Sequence, residues 1–535
     1  MFMNRVKIFR RTVFAAFVVC SLLFAAIVGA AVKLYSATAE DYPSEVESMD
    51  ISKQRALEKA VKKAKEEAGV YLRVYSRSIN GQLTDDEIIA ITSNSYKIVG
   101  EPKYTRTLKK ISDETTIIVW KVNVDVQVDD SEIQSWIKRD YKEKSTIISQ
   151  TRSANEASDE NERKIEDLRE KYNRATSQAE RDSIRKQMND VDRDFLAHQK
   201  LEDGLKLYYA KDYGGAIRFY NETLEFGEYE GVYINRGNAY YNLGQKERAI
   251  QDFNKAIQLS SNFYMAYSNR GAVYYNLGQY ERAIQDFNKS IEINPNYAEA
   301  YVNRGNVYYS QKQYERAIRD YNKAIKTNPN LAIAYTNRGV VYKNLGQNER
   351  AIQDYSKAIQ LDPDYAEAYV NRGNVYYSQK QYERAIQDYN KAIQLNPNLT
   401  EAYNNRGLVY DELKQYERAI QDFNRAIQLN PNYAEAYHNR GCAYSKSEKY
   451  EPAIKDLNEA IKLNPNNANS YIIRGSSYAM LLNFNKAIED LNKAIELEPN
   501  NPMSYHLRGL CYKLLKENAK AQADLAKAKE LGYNG

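Results

Sequence analysis

The sequence predicts a mainly α-helical protein in which nine to ten helix pairs stack into a superhelical solenoid. Two observations predict this fold class. A block of 34 residues recurs nine times between residues 230 and 531, and an Arg-Gly pair returns at the same place in each block, from Arg236-Gly237 to Arg508-Gly509. A repeat of this length is one supersecondary unit, and it can bury its apolar face only against neighbouring copies.

The block at residues 298–331 shows the two helices of one unit. Its apolar and small residues recur at helical spacing over residues 298–310 and again over residues 314–326, with a short turn between them. Pro329 then ends the second helix, because proline cannot donate the next helical hydrogen bond. We refer to the two helices as helix A and helix B of a repeat.

The block resembles the tetratricopeptide repeat (TPR). The residues that meet the family's pattern are Tyr301, Gly305, Tyr308, Ala317, Tyr321, Ala324 and Pro329. Residues 201–227 resemble a degenerate tenth copy, so the predicted array spans residues 201–535. The resemblance implies a TPR scaffold for protein partners.

One departure from the family pattern is systematic. An Arg stands where the family usually has Leu before the Gly, and an Asp recurs equally regularly on helix B. Because a partly buried guanidinium needs a carboxylate, the sequence predicts a bidentate Arg–Asp ion pair in each repeat. A structural role is favoured over ligand binding. Representative pairs are Arg270 with Asp286, Arg304 with Asp320, and Arg338 with Asp354.

An Asn precedes the recurrent Arg in seven consecutive repeats. Helices A should line the concave surface, and an amide both donates and accepts hydrogen bonds, so this column could hold the backbone of an extended peptide. The pattern resembles the asparagine ladder of the TPR superhelix in O-linked N-acetylglucosamine transferases. The alternative is that these amides only cap or solvate helix A. Specificity would come from variable neighbours such as Ser268, Thr336 and Asn404. The predicted partner-binding residues are Asn235, Asn269, Asn303, Asn337, Asn371, Asn405 and Asn439.

Four further tyrosines directly follow a structural tyrosine of the repeat. Core or rim packing is the first interpretation, because aromatic side chains contribute large packing surfaces. Stacking on sugars is the other, and it supports an alternative function as a glycan-handling component of polysaccharide export or wall assembly. These residues are Tyr241, Tyr275, Tyr309 and Tyr377.

The N-terminus predicts the cellular compartment. Four basic residues precede an uncharged apolar run at residues 13–32, which is long enough to cross a membrane, and Ala37-Thr38-Ala39 has the form of a signal-peptidase site. Residues 1–39 are therefore predicted to be a cleaved signal peptide or a retained signal anchor. The positive-inside rule places the rest outside the cytoplasm, in a bacterial cell envelope.

Residues 40–130 are predicted to form a small α+β domain. An Ala- and Lys-rich helical segment at residues 51–68 precedes a late strand at 118–128 in which apolar and polar residues alternate. Together with Arg55-Ala56-Leu57 and Leu83-Thr84-Asp85-Asp86-Glu87, this order resembles the N-terminal domain of flagellar assembly protein T and related envelope lipoproteins. Nothing in the segment indicates a catalytic site, so the domain is interpreted as a docking module.

Residues 131–200 are predicted to be a charged helical spacer, because they are rich in charge and almost free of Gly and Pro. Apolar residues keep heptad spacing over 165–179 and resume out of phase at residue 184. A short coiled coil and a helical hairpin both fit this pattern, and a homodimer through the spacer is one consequence of the former.

The composition narrows the function. The chain is 27% charged with a net charge of +5 and no basic cluster beyond the N-terminus, so nucleic acid is not an expected partner. Its three His residues lack metal-ligand spacing, no Ser or Cys has an evident convergent His, and no cofactor motif is present. The sequence therefore predicts a non-enzymatic, membrane-directed TPR scaffold that binds an extended segment of a protein in envelope assembly.

Overall fold

The computed structural model describes residues 32–41, 49–78, 88, 96–110, 116–129 and 141–533. The chain divides into two compact units, residues 1–295 and 296–535. The predicted membrane segment lies outside the described residues except for Val32, and the motif at residues 83–87 lies wholly outside them. None of the helices in the described ranges is both long and apolar enough to cross a membrane.

The first unit begins with an α+β domain. Strand β4 runs through the sheet and pairs antiparallel with each of the other three strands. Its alternating residues Val122, Val124 and Val126 are buried against an alanine face of helix α1, as the alternation predicts. The elements are β1 (Val32–Asp41), α1 (Met49–Ser78), β2 (Tyr96–Ile98), β3 (Lys103–Lys110) and β4 (Thr116–Asp129).

The start of this domain differs from the predicted boundary. Strand β1 pairs with β4 along its whole length, from Val32 opposite Asp129 to Asp41 opposite Trp120, and Ala37 is only 5% exposed. The boundary predicted between residues 39 and 40 therefore falls inside a strand. The small residues that were predicted to form a cleavage site belong to strand β1, and its partner β4 lies far along the chain.

The spacer is a helical hairpin of α2 (Tyr141–Arg174) and α3 (Gln178–Tyr209). Its heptad residues pack against each other within one chain, with Ile165, Leu168 and Tyr172 in the same core cluster as Ile184 and Met188. This packing accounts for the apolar pattern without a second copy of the chain, so these residues give a homodimer no support.

The predicted boundary at residue 200 also lies inside an element. Helix α3 continues through it and forms, with α4 (Tyr213–Phe226), the degenerate tenth helix pair that the sequence predicts. Gly204 on α3 lies directly against the ring of Tyr220 on α4. The hairpin and the array are therefore joined by one uninterrupted helix.

Buried ion pairs join the hairpin to the α+β domain. Asp41, at the end of β1, accepts hydrogen bonds from Arg169 of α2 at 3.2 and 3.3 Å, and Arg55 of α1 pairs with Asp192 of α3. Breaking such a pair leaves a buried charge without compensation, which is costly. The first strand is therefore tied to both the sheet and the hairpin.

The repeats form helix pairs throughout both units. Those of the first unit continue with α5 (Glu230–Asn242), α6 (Lys246–Leu259), α7 (Tyr264–Asn276) and α8 (Tyr280–Ile293). Those of the second unit are α9 (Ala298–Ser310), α10 (Tyr314–Thr327), α11 (Ala332–Asn344), α12 (Asn348–Leu361), α13 (Ala366–Ser378), α14 (Tyr382–Leu395), α15 (Thr400–Glu412), α16 (Tyr416–Leu429), α17 (Ala434–Lys446), α18 (Tyr450–Leu463), α19 (Ala468–Met480), α20 (Phe484–Leu497), α21 (Pro502–Leu514) and α22 (Asn518–Glu530).

Close approach of the two helices explains the recurrent Gly. A Cβ atom at Gly305 would lie 2.6 Å from Cε1 of Tyr321, so only glycine allows helix A to rest on that ring. Ala317 and Ala324 are fully buried beside it. The small and aromatic residues of the repeat thus form one interlocking contact between helices A and B.

Candidate functional site

Successive helices A contact each other within each unit. In the second unit they are α9, α11, α13, α15, α17, α19 and α21. We call the surface that they form the helix-A face. Both the recurrent Arg and the Asn column lie on helices A. Each of these helices therefore carries one Arg and, directly before it in sequence, one residue of the column position.

The recurrent Arg binds the recurrent Asp of its own helix B in all nine repeats. Each guanidinium donates from Nε to Oδ2 and from Nη2 to Oδ1 of the carboxylate, at 2.6–2.8 Å. The set includes the predicted pairs Arg270–Asp286, Arg304–Asp320 and Arg338–Asp354. This is the bidentate geometry that matches a guanidinium to a carboxylate.

A third hydrogen bond links the same Arg to the preceding repeat. In the second unit, Arg338 donates from Nη1 to Oδ1 of Asn322 on helix B of the repeat before, at 2.5 Å, and Arg406 does the same to Asn390. The sequence interpretation missed this acceptor, although an Asn stands two residues after the Asp in most repeats. Arg338 and Arg406 thus each join three helices of two repeats.

The electrostatics agree with a structural role. Burial by itself lowers the pKa of the Arg338 guanidinium, but the hydrogen bonds and the charge of Asp354 outweigh it and raise the pKa above its ordinary value. The guanidinium also lies over the ring of Tyr335, with its central carbon 5.6 Å from the ring centroid. Its Nε, Nη1 and Nη2 atoms each donate one hydrogen bond within the array, which favours a structural role over ligand binding.

The Asn column divides into two kinds of residue. Three of its members donate from Nδ2 to the side-chain oxygen of an Asn in the preceding repeat: Asn269 to Asn238 at 3.0 Å, Asn337 to Asn306 at 2.9 Å and Asn405 to Asn374 at 2.9 Å. Asn439 donates to Asn404 at 3.0 Å, and Asn404 in turn donates to Asn405. These amides connect neighbouring helices A. Asn235, the first member of the column, is buried, with 9% of its surface exposed.

Asn303 and Asn371 differ from the other members of the column. Both are partly exposed, and neither side chain has a hydrogen-bond partner among the residues that the structure describes. Asn405 donates to Asn374 of the preceding repeat. The residue at the same position before Asn371 is Val340, which has no acceptor in its side chain. Asn303 and Asn371 are therefore the column members that remain available to a partner.

The same alternation reaches the core of the repeat. The hydroxyls of Tyr321 and Tyr389 on helix B donate to Oδ1 of Asn306 and Asn374, each at 2.7 Å. Tyr355 occupies the same position but packs in a cluster with Val340, and its buried hydroxyl has no partner. The hydrogen bonds between the helix-A face and the Tyr of helix B are thus present in one repeat, absent in the next and present again in the third.

The variable neighbours proposed to set specificity do not face outward. Ser268, Thr336 and Asn404 are each at least 97% buried, between adjacent helices A. Their position, one residue before the Asn column, turns them into the contact between repeats. For these three residues, the prediction that they line a binding surface is therefore wrong.

The four further tyrosines have partners within the array. The rings of Tyr309 and Tyr377 lie against Tyr314 and Tyr382, with centroids 6.0 and 6.1 Å apart, and the hydroxyl of Tyr309 accepts a hydrogen bond from Asn344. Tyr275 packs in the same way on Tyr280, and the hydroxyl of Tyr241 accepts from Asn276. Packing between and within repeats accounts for these residues.

One Cys–His contact was missed at the sequence level. His438 and Cys442 are four residues apart on α17, and this spacing brings Nε2 within 3.5 Å of Sγ. Burial raises the pKa of the Cys442 thiol to about 12 and lowers the pKa of His438. Both shifts favour the neutral forms, so the pair lacks the thiolate that a nucleophile requires. Within the described ranges, no cluster of His, Cys, Asp and Glu has the geometry of a metal site.

The fold and the helix-A face define a helical-repeat scaffold for protein–protein interaction. Sequence profiles described as TPR repeat match residues 237–278, 305–346, 341–380 and 373–414. Profiles described as tetratricopeptide repeat match residues 264–297, 287–319, 400–433, 434–467, 468–501 and 491–523. The chain belongs to the tetratricopeptide repeat family.

Solved structures of TPR proteins are similar to parts of the chain. YrrB, described as a TPR protein with an unusual peptide-binding site, is 30% identical over 35% of this chain and 96% of its own, with a TM-score of 0.31. MamA is 29% identical over 32% of this chain and 93% of its own, with a TM-score of 0.29. PilF of Pseudomonas aeruginosa is 24% identical over 41% and 96%, with a TM-score of 0.37. No curated protein sequence matches the chain.

Proposed function

We propose that this TPR scaffold binds an extended segment of a protein partner along the helix-A face. The observation that carries the proposal is the row of Asn side chains on consecutive helices A of the second unit, at Asn303, Asn337, Asn371, Asn405 and Asn439. A peptide backbone presents N–H and C=O groups at regular intervals, and an amide side chain can bind either group. Such contacts hold a segment without depending on its side chains.

The available hydrogen-bonding groups favour a peptide over a charged ligand. The guanidinium groups on the helix-A face are each held by an Asp and a neighbouring side chain, as Arg406 is by Asp422 and Asn390. Within the Asn column of the same helices, the neutral amides of Asn303 and Asn371 have no partner among the described residues. Neutral donors and acceptors suit the neutral amide groups of a polypeptide.

We further propose that the protein acts in a bacterial cell envelope, outside the cytoplasm. The basic residues before the apolar run at 13–32 support this location, because the positive-inside rule leaves the basic end in the cytoplasm. The α+β domain would then lie between the membrane segment and the array in sequence, consistent with a docking role. A partner in envelope assembly follows from this location.

Photo-crosslinking in intact cells tests the binding surface. Ser378 is exposed on α13, two helical turns beyond Asn371 and on the same side of the helix, whereas Gln387 is exposed on helix B of the same repeat. A photo-reactive amino acid at Ser378 should crosslink to one contiguous stretch of a partner protein. The same group at Gln387 should not. Equal labelling from both positions, or none from Ser378, would contradict the proposal.

A further inference from the structure

We infer that the partner segment contacts the Asn column at every second repeat, through Asn303 and Asn371, and that the intervening column members serve the array itself. This inference rests on the proposed function, because it assigns the residues and the spacing by which the helix-A face would take an extended peptide. The other column members in the second unit are Asn337, Asn405 and Asn439, and all three donate to neighbouring repeats.

The Asn residues that accept from Asn337 and Asn405 have no acceptor capacity left. Oδ1 of Asn374 accepts from Nδ2 of Asn405 at 2.9 Å and from the hydroxyl of Tyr389 at 2.7 Å. A carbonyl oxygen has two lone pairs, so this oxygen is saturated by its two donors. One N–H of Asn405 Nδ2 is used in the hydrogen bond between α13 and α15, so a ligand finds only its second N–H, on an amide whose orientation that bond already fixes.

The surroundings of Asn303 and Asn371 lack this network. Val340 stands where Asn374 stands one repeat later, and it leaves both Asn371 and the buried hydroxyl of Tyr355 without a partner. The amide of Asn371 can therefore bind a ligand without losing a contact to the protein. The same holds for Asn303, whose side chain has no partner in the described part of the chain.

The distance between Asn303 and Asn371 defines the length of the peptide that can bind both. Asn303 lies on α9 and Asn371 on α13, with α11 between them, and packed helices lie about 8–10 Å apart. The two amides are thus roughly 16–20 Å apart, and an extended chain rises about 3.3 Å per residue. The occupant is an extended peptide of at least about six residues, whose contacts to the two amides are about five to six residues apart.

Val340→Asn tests the inference without weakening the fold. An Asn at this position supplies the acceptor that both Asn371 and Tyr355 lack, in the geometry that Asn374 shows for Asn405 and Tyr389. We expect the variant to protect the amides of α12 better against hydrogen exchange. We also expect it to bind peptide about tenfold more weakly, because one amide contact is withdrawn from the ligand.

The probe is a fluorescently labelled peptide of 16 residues, selected from a random library on the chain from Val32 to the C-terminus. Its affinity is measured by anisotropy for two matched double variants. Asn303→Ala with Asn371→Ala should weaken binding about tenfold or more and leave the thermal midpoint nearly unchanged. Asn337→Ala with Asn405→Ala should lower the thermal midpoint and change the affinity by less than about twofold.

The outcomes separate the inference from the proposed function. If the library gives no peptide that binds the wild-type chain, the proposed function itself fails. If peptides bind but both double variants weaken them equally, the scaffold stands and the two-repeat spacing is wrong. Wild-type affinity of Val340→Asn, with the expected gain in exchange protection, would also overturn the inference.

Discussion

Tyr355 provides a direct test of the alternating network, because its hydroxyl is fully buried without a hydrogen-bond partner. A buried polar group left unsatisfied costs about 1–3 kcal/mol. Tyr355→Phe removes that group and leaves the ring in place, so we expect the local free energy of unfolding to rise by about 1 kcal/mol. The matched change is Tyr389→Phe, one repeat later in an equally buried position. It removes the 2.7 Å hydrogen bond to Asn374 and should lower stability by about 1 kcal/mol.

Native-state hydrogen exchange is the suitable assay, because a repeat array opens locally and exchange assigns a change in stability to one helix pair. Amides of α12 should exchange more slowly in Tyr355→Phe, by roughly fivefold for about 1 kcal/mol. Amides of α14 should exchange faster in Tyr389→Phe by a similar factor. A loss of protection in both variants would refute the reasoning that hydrogen bonding distinguishes the two sites.

Three other outcomes follow from the contacts described above. A chain that begins at Val32 should keep the fold of the α+β domain, whereas one that begins at Glu40 loses most of β1 and should be cut rapidly by protease within that domain. Asp354→Ala should lower the stability of its repeat by about 2–3 kcal/mol, because it leaves Arg338, whose side chain is 18% exposed, without its carboxylate. Cys442, whose pKa is about 12, should be alkylated at pH 8 roughly a thousandfold more slowly in the folded protein than after denaturation.

Each of these outcomes has its own control. Equal protease resistance of the two truncated chains would show that β1 is dispensable. Asp354→Asn keeps the size of the side chain and one acceptor but removes the charge, so it should cost somewhat less than Asp354→Ala, and wild-type stability of this variant would argue against the ion pair. Cys442 labelling followed by mass spectrometry must show the rate difference for that thiol itself. Fast alkylation at pH 8 would mean that burial does not suppress the thiolate.

The repeated contacts could be predicted from the sequence because the period itself reports them. The Arg–Asp pairing was evident since Arg304 and Asp320 recur together at a fixed offset in every copy, and one geometry satisfies both groups. The same offset logic reveals the third contact, to residues such as Asn322, once the stacking direction is known. The TPR fold was predicted correctly for the same reason.

The division of the Asn column could not be predicted from the column alone. All seven positions carry the same residue, and what distinguishes Asn371 from Asn405 is the side chain presented by the preceding repeat, Val340 or Asn374. Only the structure shows that these positions face each other. The signal is nevertheless in the sequence, as an alternation with a period of two repeats.

Strand β1 was missed for a different reason. Its ten residues follow an apolar run and contain the small residues of a cleavage site, and its pairing partner β4 lies about 90 residues further along the chain. Local patterns cannot report a contact at that separation. The hairpin, in contrast, keeps its partners α2 and α3 adjacent, and its heptad residues were identified correctly.

The most direct test of the account is the response of the Asn side-chain amides to a bound peptide. Selective ¹⁵N labelling of Asn makes the NH₂ resonances of Asn303, Asn371 and Asn405 observable in one spectrum. A selected peptide should shift the side-chain signals of Asn303 and Asn371 and leave that of Asn405 nearly unchanged. A peptide that binds without shifting any Asn side-chain signal of the helix-A face would contradict the central claim.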